Sequence, residues 1–389
     1  MASKITNLIE LISRHHGIND KEKLTEIVQK EFGLVKDRKI YYCDEFAIRF
    51  SESKNGNFAN TVASLSKVQK YDDRPFVVCL VTPDNNRIML ANSTFLRKIS
   101  HSSQNLLINN IRGSFNGSDI VSVYEEIDNS ADNIERLFAI HEPIGFQGNL
   151  QRLVDATASI QPSGSPLEIT SAMKAQILDA PSRAESFVIS VDFKTLKSEL
   201  DSIVKKFEKE ILITSLIDNV KVRGSVIEYL VAGEDAQLKA KIIEQLVAKS
   251  RSIPDFMSDN ELGDFSRRFD DYHTETDVKT KIMVLNSNPK AYNVDKMLKF
   301  LSGDKSVFMF YFIGIEKDNT SPITALASMF QNDILDGTRV IKHWAGRDSR
   351  GVTQIEGRAI ATVIRSGSNE MVKSNSTKFL EGIIEGKKD

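Results

Sequence analysis

Residues 263–315 read GDFSRRFDDYHTETDVKTKIMVLNSNPKAYNVDKMLKFLSGDKSVFMFYFIGI. Residues 276–285 (TDVKTKIMVL) are β-prone and turn continuously apolar after Lys281. Residues 293–301 carry Val294, Met297, Leu298 and Leu301, the spacing of one helical face. Residues 306–315 hold almost no polar group, as in a strand buried on both faces. The order is strand, helix, strand. Residues 264–269 are a candidate partner strand, joined to 276–285 by the polar turn 270–274.

Asp277 and Lys279 lie two positions apart, so on a strand they share one face. Charges on a buried strand are costly unless they are paired or bind a metal. Two neighbouring carboxylates can hold Mg²⁺, which takes oxygen ligands and keeps waters for a substrate phosphate. A lysine beside them can position or deprotonate an attacking water and offset phosphate charge.

Asp277-x-Lys279, an acid across a hairpin, and the following helix and apolar strand resemble the PD-(D/E)xK nuclease core. The wording TDVKTK, NPKAYNVDKMLKFLS, SVFMFYFIGI and the downstream HWAGRDSRGVTQ resembles type II restriction endonucleases, over residues 240–360. The resemblance implies catalytic residues Asp264, Asp277 and Lys279, with Mg²⁺ held by Asp264 and Asp277. Asp264 lies thirteen positions before Asp277, a hairpin separation, but Gly263 stands where the motif has proline. Asp271 is the rival first acid, placed within the turn. Some members add a glutamate from the preceding helix; Glu244 is a candidate, with a solvated helix face as the other account. Cleavage of double-stranded DNA by a homodimer in a restriction–modification system is also what the resemblance implies.

With 51 Lys and Arg against 53 Asp and Glu, the chain is no basic nucleic-acid binder by bulk charge, so DNA contact must come from local clusters. One cluster is segment 339–358, with Arg339, Lys342, His343, Arg347, Arg350 and Arg358, together with Gln354 and the single tryptophan, Trp344. Arg347, Arg350, Gln354 and His343 are its candidate DNA contacts, since arginine can read guanine and glutamine adenine. The other is the Ser- and Asn-rich segment 92–120, with Arg97, Lys98, His101 and Arg112. In each case the alternative is a solvated polar loop.

Cys43 and Cys79, both in apolar runs, predict buried free thiols and fit a cytoplasmic setting; that the cell is bacterial or archaeal is what the resemblance to restriction endonucleases implies. No signal peptide and no run of membrane-span length is visible, so no membrane partner is expected. In chain order, patterning predicts two helices within 4–32, with Asn19-Asp20 before the second, and strand structure over 39–51. A helix over 59–70 and paired strands at 75–82 and 87–91 follow, then helices within 132–158, 192–216, 235–249 and 323–330. Glu52-Ser53-Lys54 is a second acid-x-Lys, but the turn signal KNGNF follows it, which makes it a decoy.

QPSGSP at 161–166 is the best linker. The expected architecture is α/β: an α+β domain over 1–165, a candidate for DNA recognition, and a PD-(D/E)xK-like mixed sheet flanked by helices over 166–389. The alternatives are a non-catalytic DNA-binding protein, or a methylation-dependent or repair nuclease of the same fold.

Overall fold

The computed structural model describes residues 3–101, 106–160, 167–248, 262–316, 318, 321–341 and 350–385. The protein is mixed α/β and divides into two compact units, one formed by Met1–Gly164 and the other by the described residues from Ser165 onward. The linker at 161–166 lies outside the described residues.

In the first unit, α1 (Lys4–Arg14) and α2 (Lys21–Phe32) are capped by Ser3 and Asp20, which accept the Thr6 and Lys23 amide protons at 3.2 and 2.9 Å. Strands β1 (Val35–Asp37), β2 (Ile40–Tyr42), β3 (Ala47–Glu52) and β4 (Thr61–Ser64) lead to α3 (Leu65–Tyr71). Then come β5 (Phe76–Val81), β6 (Asn86–Leu90), β7 (Ser114–Asn116), β8 (Val123–Tyr124), β9 (Ile127–Asp128), α4 (Ile134–His141) and α5 (Gly145–Ala158). The main sheet runs β1-β2-β3-β5-β6, parallel only between β3 and β5. β5 is buried throughout and its alternate residues feed two cores. Phe76, Val78 and Leu80 pack with Leu65, Leu150 and Leu153; Val77, Cys79 and Val81 pack with Leu8, Leu24 and Leu137. The expected helix over 59–70 begins only at Leu65, because 61–64 pairs with β7 instead. Both cysteines are free; Cys79 is buried, which pushes its thiol up to about 12, whereas Cys43 is only half-buried.

The second unit opens with five helices: α6 (Ser171–Val188), α7 (Val191–Lys206), α8 (Glu208–Ser215), α9 (Val220–Ala232) and α10 (Ala236–Val247). β10 (Phe265–Arg268), β11 (His273–Ile282), β12 (Lys290–Asn293), α11 (Val294–Leu301), β13 (Ser306–Ile315) and β14 (Ile323–Ser328) follow. The unit closes with α12 (Asn332–Asp336), β15 (Thr338–Ile341), β16 (Val352–Ile355), α13 (Gly357–Ser366) and α14 (Lys373–Glu385). Its central sheet runs β10-β11-β13-β14, with β11 and β13 parallel across α11 and the outer pairs antiparallel. β12, β16 and β15 form a second sheet. All ten residues of β13 are buried. Phe308, Phe310 and Phe312 share one face, with Tyr292 of β12 against the first two; Tyr311, on the other, donates to Asp201 of α7 at 2.8 Å. Burying each phenylalanine contributes about 1.5–3 kcal/mol, which makes this strand the centre of the unit.

Residues 323–330, expected as a helix, instead supply β14. A short apolar run does not fix its own period, and the outer edge of β13 needs backbone partners, which Ile323–Ser328 provides. The strands β2-β3-β5-β6 and β10-β11-β13-β14 repeat one plan: hairpin, parallel crossover, antiparallel return. No helix among the described residues is long and apolar enough to cross a membrane.

Gly357 opens α13 where an added Cβ would stand 2.1 Å from the Ser287 carbonyl oxygen and 2.9 Å from Lys281 Nζ. Gly357→Ala is therefore expected to destabilise the second unit by roughly 1–3 kcal/mol. A thermal melt followed by circular dichroism reads this, and an unchanged midpoint would refute the close packing.

Candidate active site

Asp277 sits mid-strand on β11, opposite Phe310 in the parallel register, and Lys279 lies opposite Phe312. Both point to the same face. Asp277 is 4 % exposed, and the Lys279 ammonium donates to its Oδ1. Asp264 precedes β10. Its amide donates to the Thr276 carbonyl at 2.9 Å, and its Oδ2 accepts the Val278 amide proton at 2.7 Å. The hairpin thus pins the first acid beside the strand that carries the second. Asp271, the rival, is exposed in the turn beyond β10.

A third carboxylate comes from α9, which packs on β11. Glu228 shares a hydrogen bond with Asp264 and feels the charges of Asp264, Lys279 and Asp277. Burial, then the Asp264 charge, pushes its carboxyl up to about 8. Burial likewise lifts Asp277 to about 8 although Lys279 beside it works the other way, while the surrounding carboxylates outweigh burial at Lys279 and hold its ammonium up at about 12. These directions are consistent once charge is counted: one ammonium serves three carboxylates. The lysine stays charged, and the buried acids cannot all ionise around it.

Among the described residues, no three His, Cys, Asp or Glu side chains form a ready-made metal cage. Asp277 is turned to Lys279, and Asp264 to the Val278 amide. Magnesium asks for less: one or two carboxylates, with waters and substrate phosphate oxygens completing an octahedron. Asp277 Oδ2 is buried with no donor group on it, the Asp264 carboxyl stands beside it, and the cluster carries excess acid. These features fit a divalent cation at Asp277 and Asp264.

The helix carboxylate that the structure brings to this cluster is Glu228 of α9; Glu244 is exposed on α10. A signal for it exists in the sequence: Glu228 is the one charge inside the apolar run VIEYLVA, and such a charge requires partners. At Gly263, before Asp264, an added Cβ would stand 2.9 Å from both Glu275 Oε2 and the Thr276 amide nitrogen, so the hairpin packs closely there. Lys281, next on the Asp277 face, is 3 % exposed and donates to the Leu285 carbonyl. Glu228→Gln keeps the shape but removes the titratable carboxyl, and the proton it holds, from the acid cluster. On the nuclease activity that the sequence resemblance implies, metal-dependent cleavage is expected to fall by about 10–100-fold, the usual effect of a residue supporting a metal ligand. Initial rates over a magnesium titration test this, and a wild-type rate would remove Glu228 from the site.

The decoy Glu52 ends β3, 3.7 Å from Lys21, and Lys54 lies in the turn beyond it. Of the expected DNA contacts in segment 339–358, His343 and Arg347 lie outside the described residues, as does Trp344. The Arg350 guanidinium is bound to Asp295 and donates to the Leu167 carbonyl at 3.0 Å, so contact with DNA would require it to leave an internal ion pair. Gln354 donates to the Asn288 carbonyl at 2.8 Å, and Arg339 pairs with Glu356. In the first unit, Arg97, His101 and Arg112 are exposed and Lys98 is half-buried. The structure brings together Asp264, Asp277, Lys279 and Glu228, on one hairpin and one helix of the second unit. No family model matches the chain, and no curated protein sequence matches it.

Proposed function

We propose that the protein is a magnesium-dependent endonuclease that cuts double-stranded DNA at a specific sequence, as the nuclease of a restriction–modification system in the cytoplasm of a bacterial or archaeal cell. The observation that carries this reading is the grouping of Asp277, Asp264 and Glu228 around the Lys279 ammonium, with Asp277 Oδ2 buried and no donor group on it. The layout β10-β11-α11-β13 around it is the one the resemblance to PD-(D/E)xK nucleases implies. A homodimer follows from the need to cut two strands.

The reaction forms a bond from a water oxygen to phosphorus as a backbone phosphorus–oxygen bond breaks. Asp277 and Asp264 would hold the metal, which when bound supplies Lewis acidity and neutralises charge at the phosphodiester. Lys279, protonated at neutral pH, orients the attacking water and offsets charge growing on the phosphate oxygens. The Val278 amide fixes the orientation of Asp264. Glu228, its carboxyl lifted to about 8, holds a proton next to Asp264 through much of the neutral range.

The test is digestion of methylated and unmethylated plasmid in magnesium, with fragment ends sequenced. A discrete set of fragments supports the reading, and retardation of intact DNA without cutting overturns it. Lys54→Ala is the control and is expected to cut like wild type. A second reading, a DNA-binding protein with a purely structural Asp277–Lys279 pair, is favoured by one observation: the ammonium already closes on Asp277.

A further inference from the structure

The hairpin of β1 and β2 closes on a two-residue turn, Arg38-Lys39, with Asp37 opposite Ile40, Lys36 opposite Tyr41 and Val35 opposite Tyr42. Its base is anchored. Leu34, 4 % exposed, and Ile40, 3 % exposed, belong to the two cores that β5 feeds. Arg38 stands at φ +59°, in the left-handed region. Hairpin turns ordinarily give that conformation to glycine or asparagine, because a Cβ there is strained. The turn therefore carries a long cationic side chain where the backbone favours glycine.

Asp37 is the one acid between Glu31 and Asp44. Its carboxylate accepts protons from the ammonium groups of Lys67 and Lys70 on α3 at 2.6 and 2.9 Å, and from the Tyr71 hydroxyl at 2.7 Å. Lys36, Arg38 and Lys39 are exposed on the ribbon beside it. The cluster thus sets five cations against one carboxylate. Aromatic faces orient two of the five: Lys36 stands 5.7 Å over the Tyr41 ring, and Lys70 5.0 Å over that of Tyr71. Asp44 and Glu45 lie in the connection from β2 to β3, at the other end of the ribbon. The ribbon is therefore polarised, with its positive charge at the Arg38-Lys39 turn.

We propose that this ribbon docks in the major groove of duplex DNA, with the turn pointing in and Lys36, Arg38 and Lys39 on phosphates of the groove walls. A two-stranded ribbon fits that groove, and phosphates supply the anions that the cluster lacks. The major groove of duplex RNA is too deep and narrow for it. A protein partner would call for an apolar centre, and the exposed apolar residue of the ribbon, Val35, lies at the end away from the turn. The inference shares its DNA partner with the nuclease reading, but it concerns binding alone and does not require that the second unit cut.

The experiment uses the full chain in EDTA, so that no cutting intervenes, and a fluorescent duplex whose anisotropy is followed at several salt concentrations. Lys36→Gln/Lys39→Gln should flatten the dependence of log affinity on log salt by about two, the loss of two phosphate contacts. Arg38→Gly should weaken binding roughly fivefold near physiological salt, while melting at or near the wild-type temperature, because glycine accepts the left-handed conformation. A duplex whose major groove is filled by glucosylated 5-hydroxymethylcytosine should bind wild type more weakly than plain duplex. The triple variant Lys36→Gln/Arg38→Gly/Lys39→Gln should no longer tell the two apart. An unchanged salt slope in the glutamine double variant would overturn the proposal, as would equal binding of the two duplexes by wild type, or no binding of either. So would a triple variant that keeps its affinity for duplex DNA and loses one for duplex RNA or polyglutamate, which would give the ribbon another partner. A plasmid left uncut in magnesium, with these changes in affinity intact, would sink the nuclease reading and leave the ribbon standing. Ordinary cutting by wild type, with an unchanged salt slope in the double variant, would do the reverse.

Discussion

Asp277→Asn is expected to lose cleavage by at least about a thousandfold, the scale of removing one preorganised electrostatic group from a transition state, while duplex binding survives. The substitution keeps shape and removes the buried carboxylate whose Oδ2 has no donor group on it. It should also stabilise the metal-free protein at neutral pH, because it removes a buried carboxyl whose ionisation the fold disfavours. The sign follows from the direction of the shift. In the folded chain Asp277 titrates near 8, well above an unfolded aspartate. The folded state therefore binds the proton more tightly, and this contribution to stability is full below the unfolded value and lost as pH rises through the folded one. Without metal, wild type should lose thermal stability between about pH 5 and pH 8, and Asp277→Asn should lose less of it. Full cleavage by the variant, or an identical slope of midpoint against pH, would end the assignment of Asp277.

Why the site was only partly legible in the sequence follows from what periodicity can carry. β11 and β13 could be read because a long apolar run cannot carry two charges on one face unless something binds or pairs them. Asp264 could be reached by hairpin separation alone. Glu228 has no fixed spacing to Asp277, since its helix packs on the sheet from far earlier in the chain, and only its place as the one charge inside VIEYLVA marks it. The amphipathic helix at 235–249 drew the expectation to Glu244, whose face is solvated. β14 escapes the sequence pattern because ITALAS is too short to declare a period, and only the unpaired edge of β13 decides it. The basic segment 339–358 shows another limit. Composition counts arginines but not their partners, and Arg350 and Arg339 are already matched to Asp295 and Glu356.

Lys279→Met is the sharper test, because it should act on stability in the opposite direction to Asp277→Asn although the two residues form one ion pair. Lys279 is the cation that Asp277, Asp264 and Glu228 share, and its own acidity is weakened by all three. Methionine keeps most of the volume and removes the charge. The carboxylates then face one another without compensation, and breaking a buried pair from this side costs about 3–5 kcal/mol. Protonation relieves part of that cost. The loss should therefore be small near pH 5 and large near pH 8, since the cost of the lifted carboxyls grows as pH rises from the unfolded carboxylate value toward the folded one, about 8 in wild type. Millimolar magnesium should recover thermal stability more in Lys279→Met than in wild type, because a divalent cation replaces the missing charge. Cleavage should stay low even with the metal, by about 100-fold or more, since no ammonium remains to orient water and offset phosphate charge. Melting curves at the two pH values with and without magnesium, beside plasmid digestion, separate these effects. A variant as stable as wild type at both pH values, indifferent to magnesium and fully active, would show that the cluster is neither an electrostatic unit nor an active site.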